Sequence, residues 1–212
     1  MKFTSSKLNS FDAIAPWYDA LAKVVYGKAI QKAQSHFINE IKEDANVLIL
    51  GGGTGWLLSY LLLAKPNCKV WYLEASAKMI ELTTQKIHTS SSVQLIHGTE
   101  DDIPTEIRFD AVITNFYLDL FPIEKLNLVI KKIKNSLKPN SKWLATDFVD
   151  GSKWWQAMLL KAMYLFFRIV CRIPATRLPD WNGLFISNGV QKIKSKLFYQ
   201  GFIESTIYRS SS

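Results

Sequence analysis

Residues 47–56 read VLILGGGTGW, four apolar residues running directly into four glycines interrupted by Thr54. An aliphatic run without polar alternation fits a strand buried on both faces, and glycines at its end let the chain turn through positive φ with backbone amides left bare. Beyond the turn, Trp56–Ala64 (WLLSYLLLA) is long and apolar enough for a buried helix, which Lys65-Pro66-Asn67 ends. Strand, glycine turn and helix in succession point to a nucleotide-type site, because loop amides and the helix N-terminus then face one ligand. The plainer reading is a turn made only for chain reversal, which rarely needs glycine four times over. Gly51, Gly52, Gly53, Thr54 and Gly55 are therefore candidate binding residues.

The pattern continues along the chain. Apolar runs at 70–73, 93–96, 111–114 and 143–146 read as further strands, and helical periodicity lies between most of them. Residues 76–87 carry Met79, Ile80, Thr83 and Ile87 at helical spacing; residues 123–137 carry Leu126, Val129, Ile130, Ile133 and Leu137 ahead of a Lys138-Pro139-Asn140 turn. This alternation predicts a doubly wound α/β fold with a mostly parallel, Rossmann-like sheet, whose ligands sit beyond the carboxyl ends of the strands. Glu74 ends the second run, in KVWYLEAS, where an acid can take both hydroxyls of a ribose; a solvated carboxylate is the bland alternative. The glycine spacing is G-x-G-x-G, with Trp56 at the place of the third glycine of a dinucleotide fingerprint, so a pyrophosphate is poorly served.

Composition narrows the class. A chain of 212 residues, 48% of them hydrophobic, can bury one sizeable core, and no linker or low-complexity stretch divides it. A single domain is expected: an N-terminal helical cap over 1–44, a binding core over 45–150, a helical insertion or lid over 151–190, and a last helix and strand over 191–212. The start, MKFTSSKLNSFD, has no apolar h-region, and Cys68 and Cys171 are too few for a disulfide framework, so a cytoplasmic setting is expected. His36, His88 and His97 stand apart from each other and from both cysteines, and no metal site is predicted.

Five stretches in register, VLILGGGTG, VWYLEASAKMIEL, HGTEDDIP, FDAVITNFYLDLF and LKPNSKWLATDF, resemble the class I S-adenosylmethionine-dependent methyltransferases. FDAIAPWYDAL at 11–21 is similar to the N-terminal segment of the branch that methylates ubiquinone and menaquinone precursors. The resemblance implies a seven-stranded sheet with its last strand antiparallel, S-adenosylmethionine as cofactor and S-adenosylhomocysteine as product. It also implies an assignment of residues. The glycine loop lies under the methionine end, with Glu74 and Ala75 at the ribose and Met79 on the adenine. Thr99, Glu100 and Asp101 meet the adenine edge, and Asn115, Phe116 and Tyr117 lie beside the methionine portion. The chain departs from the family at Ile49, where an acid usually helps hold the methionine ammonium, and at Thr99, where an aspartate is frequent. Asn115, Asp19 or backbone carbonyls could hold the ammonium instead.

The expected chemistry is in-line displacement on an activated methyl, in which positioning can supply about 7 to 11 kcal/mol of the barrier without a metal. A base is needed only where the acceptor loses a proton, and Tyr18, Tyr117 and Asp147 are the candidates at the pocket rim. Trp17, Tyr18 and Phe116 could face the sulfonium, although aromatic residues beside an apolar pocket are more often packing. Two other classes compete: an aminopropyl-transferring enzyme, which would need acids after the fourth strand where only Asp119 stands, and a non-catalytic lipid-binding module on a degenerate fold. The acceptor is expected to be a small apolar or amphiphilic, even lipid-like, molecule.

Residues 151–212 hold 9 basic and 2 acidic side chains, against 17 and 16 before them. No nucleic-acid-binding module accompanies that excess. It lies around WWQAMLLKAMYLFFRIVCRI (154–173), which Lys161, Arg168 and Arg172 make too polar to span a bilayer. Core packing is one reading of this amphipathic stretch; reversible contact of 154–177 with an anionic inner-membrane surface is the other. At the far end, 192–199 reads as a helix and 203–208 as a sixth strand, so the hairpin partner of the last strand is either missing or hidden in a loop such as 183–187.

Overall fold

In the run VLIL, all four residues are buried, and they alternate between two cores on opposite faces of one sheet. Val47 and Ile49 pack with Leu58, Leu61, Val70 and Tyr72, whereas Leu48 and Leu50 pack with Val112, Leu126, Ile130 and Trp143. That is how a central parallel strand reads as a continuous apolar run. The structure is a computed structural model that describes residues 11–87, 92–151 and 153–210; His88 lies outside the described residues.

The elements in chain order are α1 (Ala15–Tyr26), α2 (Ala29–Ser35), β1 (Asn46–Leu50), α3 (Trp56–Ala64), β2 (Lys69–Glu74), α4 (Ala77–Lys86), β3 (Val93–His97), β4 (Phe109–Asn115), α5 (Ile123–Asn135), β5 (Leu137–Phe148), α6 (Trp154–Val170), α7 (Trp181–Ser187), β6 (Val190–Phe198) and β7 (Ile203–Ser210). The sheet has seven strands in the order β3-β2-β1-β4-β5-β7-β6. The strands from β3 to β5 pair in parallel, and β7 runs antiparallel to both its neighbours. The order reverses between β1 and β4, so their carboxyl ends diverge into a crevice, the place where open α/β sheets bind ligands.

Two readings of the C-terminal part are corrected. Residues 192–199, expected as a helix, belong to the edge strand β6 and the turn after it, and β6 is the hairpin partner that seemed to be missing. Ile193 and Leu197 stand four apart and imitate a helical stripe, yet both are exposed, and a register shift between Lys192 and Lys194 breaks the alternation that would have betrayed a strand. Its lysines also guard an open sheet edge against pairing with other chains. Residues 183–187, considered as a last strand, lie in α7, whose Trp181 and Phe185 pack on the sheet. The Lys138-Pro139-Asn140 turn is an irregularity inside β5, with Asn140 at φ 59°.

The N-terminal and inserted helices pack together in front of the crevice. Ile14 of the segment leading into α1 joins Tyr164 of α6, Cys171 and Ile173 in one apolar cluster. Both cysteines are buried and free.

Candidate active site

A cavity of about 810 Å³ opens where β1 and β4 diverge, walled by the glycine loop, the end of β2, the segment after β4, and α1. The glycines there do unequal work. A Cβ on Gly51 would sit 2.5 Å from the Tyr117 ring, one on Gly52 2.1 Å from the Tyr72 ring, and one on Gly55 2.8 Å from Thr83. Only Gly53 of the four has nothing within 4 Å, and it faces the cavity at φ +69°. What passes close to this backbone is therefore mostly the chain's own side chains, which hold the loop in shape. The Tyr72 hydroxyl donates to the Gly53 carbonyl (2.8 Å), as does the Thr83 hydroxyl (3.2 Å).

Glu74 closes the loop from the other side. One carboxylate oxygen accepts from the Gly53 amide and the other from the Ser76 amide, each at 2.9 Å. Glu74 is 6% exposed and lines the cavity. Burial pushes its carboxyl up, against the pull of the Ser76 and Gly53 amides. Each oxygen retains a second lone pair for a ligand hydroxyl.

Asn115 ends β4 in the same cavity. It is 8% exposed, and neither its Oδ1 nor its Nδ2 has a partner among the described residues. An amide left unpaired in a fold is a standing cost, unless a ligand completes it.

Ala75, Met79, Thr99, Glu100, Phe116 and Tyr117 also line this cavity. Thr99 starts a 3-10 turn by accepting from the Asp101 amide. Glu100 is buried, accepts from the Tyr117 hydroxyl at 2.9 Å and pairs with Lys125 Nζ at 2.6 Å. Phe116 holds φ 51°, a conformation costly for a residue with a Cβ. Asp101 stands outside the cavity wall: it pairs with Lys132 at 2.7 Å, and that bond pulls its carboxyl down. Gly55 likewise turns its α-carbon to Thr83 and lies outside this cavity wall.

Of the candidate bases, Tyr18 lines the cavity, with its phenol pushed up by burial and then by Asp119 and Glu74. Tyr117 lines it too, but its hydroxyl is committed to Glu100 and pushed well up by burial and that carboxylate. Asp147, expected at the rim, is fully buried behind the wall. It accepts from the amides of Leu118 (3.0 Å), Asp119 (3.2 Å) and Phe148 (2.8 Å), because this position of β5 points into the interior. Trp17 is 73% exposed and lies outside this cavity.

Two acids of the N-terminal segment tie it to the glycine loop and to the start of α4. Asp19 accepts from Thr54 Oγ1 at 2.8 Å and pairs with Lys86 at 3.1 Å; Asp12 accepts from the Ser76 hydroxyl and the Lys78 amide. The roles of Asp12 and Tyr72 were not legible beforehand, since each depends on a contact across the fold. Among the described residues no cluster of His, Cys, Asp and Glu could hold a metal ion.

Comparison with known proteins agrees with this architecture. Residues 47–140 match the methyltransferase domain family. A malonyl-[acyl-carrier protein] O-methyltransferase of Priestia megaterium is 31% identical over 142 residues, 67% of this chain and 51% of that protein. The chain thus spans about half the length of the curated relatives it matches. In structure, the Burkholderia thailandensis 1,6-didemethyltoxoflavin-N1-methyltransferase, solved with 1,6-didemethyltoxoflavin and S-adenosylhomocysteine, covers 98% of this chain over 89% of its own, at 13% identity and TM-score 0.71. A chain from the complex between the Haloferax volcanii Trm112 methyltransferase activator and a methyltransferase covers 96% over 99% of its own, at 14% identity and TM-score 0.75. The chain thus has the class I methyltransferase fold, and its residues 47–140 are similar to the methyltransferase domain family.

Proposed function

We infer that the protein transfers a methyl group from S-adenosylmethionine to a small apolar or amphiphilic acceptor. The observation that carries this reading is Asn115, a buried residue in the wall of the cavity that the glycine loop and Glu74 enclose, whose two amide atoms have no partner among the described residues. The residues present fit the cofactor: Glu74 for the ribose hydroxyls, Met79 for the adenine, and Asn115 for the methionine end in place of the acid that Ile49 lacks. When bound, the cofactor supplies a methyl group already activated on a sulfonium. The chain's part is to bind, orient and exclude water, and the Gly53 amide, fixed by Glu74, sets the shape of the loop beneath.

The relatives' name describes a malonyl-carrier-protein acceptor, a different class from the small acceptor proposed here, whereas the N-terminal motif, similar to that of enzymes of quinone biosynthesis, is a narrower version of this reading. An aminopropyl transfer is not favoured, because Asp119 alone is a poor host for a polyamine. A degenerate, non-binding fold is not favoured by an intact loop closed on Glu74. Calorimetry tests the reading: S-adenosylmethionine and S-adenosylhomocysteine should bind, and bind more tightly than NAD. Tighter binding of NAD, or no heat with either sulfur compound, would overturn it.

A reversible membrane contact is a second reading, favoured by α6. Trp154, Met158, Leu165 and Ile169 are exposed there beside Lys161 and Arg168. Among the described residues no helix is long and apolar enough to cross a membrane.

A further inference from the structure

Beside the large cavity lies another of about 230 Å³, between α1, α6 and the segment after β4. Tyr18, Phe116 and Ile173 line both. A water molecule's share of the liquid is about 30 Å³, so the chamber has room for the body of a small molecule. Its walls are almost wholly aliphatic and aromatic, with Leu159, Met163, Phe148 and Phe167 among them. Among the described residues Asp119 is its one charged side chain.

Asp119 sits on the 3-10 turn Leu118–Leu120 just after β4, 4% exposed, and its buried Oδ1 has no hydrogen-bond partner among the described residues. Asp147 lies next to it, held by three backbone amides. Two neighbouring carboxyls in an apolar interior do not both ionise. Burial pushes both carboxyls up, Asp119 to about 7, and the Asp119 charge drives Asp147 further, so the pair titrates as a unit and gives up its first proton only near neutral pH, and Asp119 is the member that lines the chamber. The other titratable groups facing Asp119 are Tyr18, Tyr26 and Tyr164. Burial first and the Asp119 charge second push all three phenols up, so each keeps its proton through neutral pH. The Tyr26 hydroxyl donates to the Met163 sulfur, and that of Tyr164 to the Asp119 carbonyl, so neither is directed at the carboxylate. Among the described residues no lysine or arginine lines the chamber to pair with it.

A carboxylate in an apolar chamber costs stability unless a donor completes it. We propose that the chamber receives the methyl acceptor, an uncharged apolar molecule bearing a hydroxyl or N–H, and that Asp119 takes the proton of that group. The assignment rests on the methyltransferase reading above. The acceptor's oxygen or nitrogen lone pair forms the new bond to the methyl carbon as the carbon–sulfur bond breaks, its electron pair staying on sulfur as a neutral thioether. The O–H or N–H proton passes to Asp119, so the charges balance. A carboxylate acceptor would instead bring a second negative charge against Asp119 with no cation to offset it.

The test is binding of three naphthalenes to the whole protein by calorimetry, with and without S-adenosylhomocysteine: 2-naphthol, 2-methoxynaphthalene, which lacks the donor, and anionic 2-naphthoate. We expect 2-naphthol to bind at least about ten-fold tighter than 2-methoxynaphthalene, a difference of about 1.4 kcal/mol, with 2-naphthoate the weakest. In a pH series kept below naphthol's own ionisation, this preference is full where Asp119 is ionised and fades as pH falls through its raised pKa. Asp119→Asn, its folding checked by thermal unfolding, should remove that pH dependence; the wild-type series decides alone if the variant does not fold. Equal affinity for naphthol and its methyl ether, a preference that ignores pH, or naphthoate as the tightest ligand would overturn the proposal. If S-adenosylhomocysteine binds in those same titrations, only the acceptor assignment falls. If it does not, both readings fall.

Discussion

Replacing Asn115 with alanine separates what the fold needs from what the ligand needs. In the empty protein the Asn115 amide has been removed from water and given nothing in return. An unsatisfied buried polar group costs about 1 to 3 kcal/mol, so Asn115→Ala should leave the stability of the empty protein unchanged or raise it by up to about 1 kcal/mol after the lost packing is counted. Binding should move the other way. Hydrogen bonds to charged groups contribute about 1.5 to 3 kcal/mol, and the methionine end carries both an ammonium and a carboxylate. Affinity for S-adenosylhomocysteine should therefore fall by about 10- to 150-fold. Denaturant unfolding of the empty protein and calorimetry with S-adenosylhomocysteine read the two effects independently. A variant that loses more than about 1 kcal/mol of stability while binding unchanged would show that Asn115 serves the fold, and the reasoning from its unpaired atoms would be refuted.

Glu74→Gln keeps the shape but sets an NH2 against either the Gly53 or the Ser76 amide; losing a charge-assisted bond worth about 1.5 to 3 kcal/mol should weaken S-adenosylhomocysteine binding by about 10- to 150-fold and lower the melting temperature, and an unchanged dissociation constant would reduce Glu74 to a structural acid. At the glycines, Gly52→Ala drives a methyl into the buried Tyr72 ring and should cost about 3 kcal/mol or more of stability. Gly53→Ala meets no atom and should cost only about 1 to 2 kcal/mol for its positive φ, with a larger loss in cofactor binding; equal destabilisation in denaturant would contradict this division of labour. Sedimentation with anionic vesicles should be salt-sensitive and weakened when Lys161, Arg168 and Arg172 become glutamine, at about 1 kcal/mol per basic residue; equal sedimentation of wild type and variant would leave α6 as packing alone.

Elements whose residues are buried on both faces were legible from pattern, because burial leaves no choice of side chain. VLIL is the clearest instance, and Trp56–Ala64 was bounded correctly since Gly55 and Lys65-Pro66 mark its ends. The edge strand β6 was not legible: only its first residue is fully buried, so nothing enforces a period of two, and a bulge disturbs what period there is. Within the site, Glu74 and the glycine loop are adjacent to strand ends and could be placed by spacing. Asp147 was misplaced because strand parity, not sequence position, decides whether a residue looks into a crevice or behind it. Asp119 stood in view as the acid of LDLF, but its meaning comes from Asp147 and from α1 and α6, which only the fold brings around it.

The sheet order also bears on how the chain folds. β6 is made before β7 yet has no other strand to pair with, since β7 occupies the slot between it and β5. Until residues 203–210 are in place, the lysine-rich strand has no ladder to join, and β5 presents an open edge. The parallel half, β1 to β5, can assemble from neighbouring strand–helix units, so this half should form first and the β6–β7 hairpin should dock last, late-forming ladders being those that leave edges exposed longest. The exposed lysines of β6 then have a kinetic use: they hinder association through the waiting edge during the interval before β7 arrives.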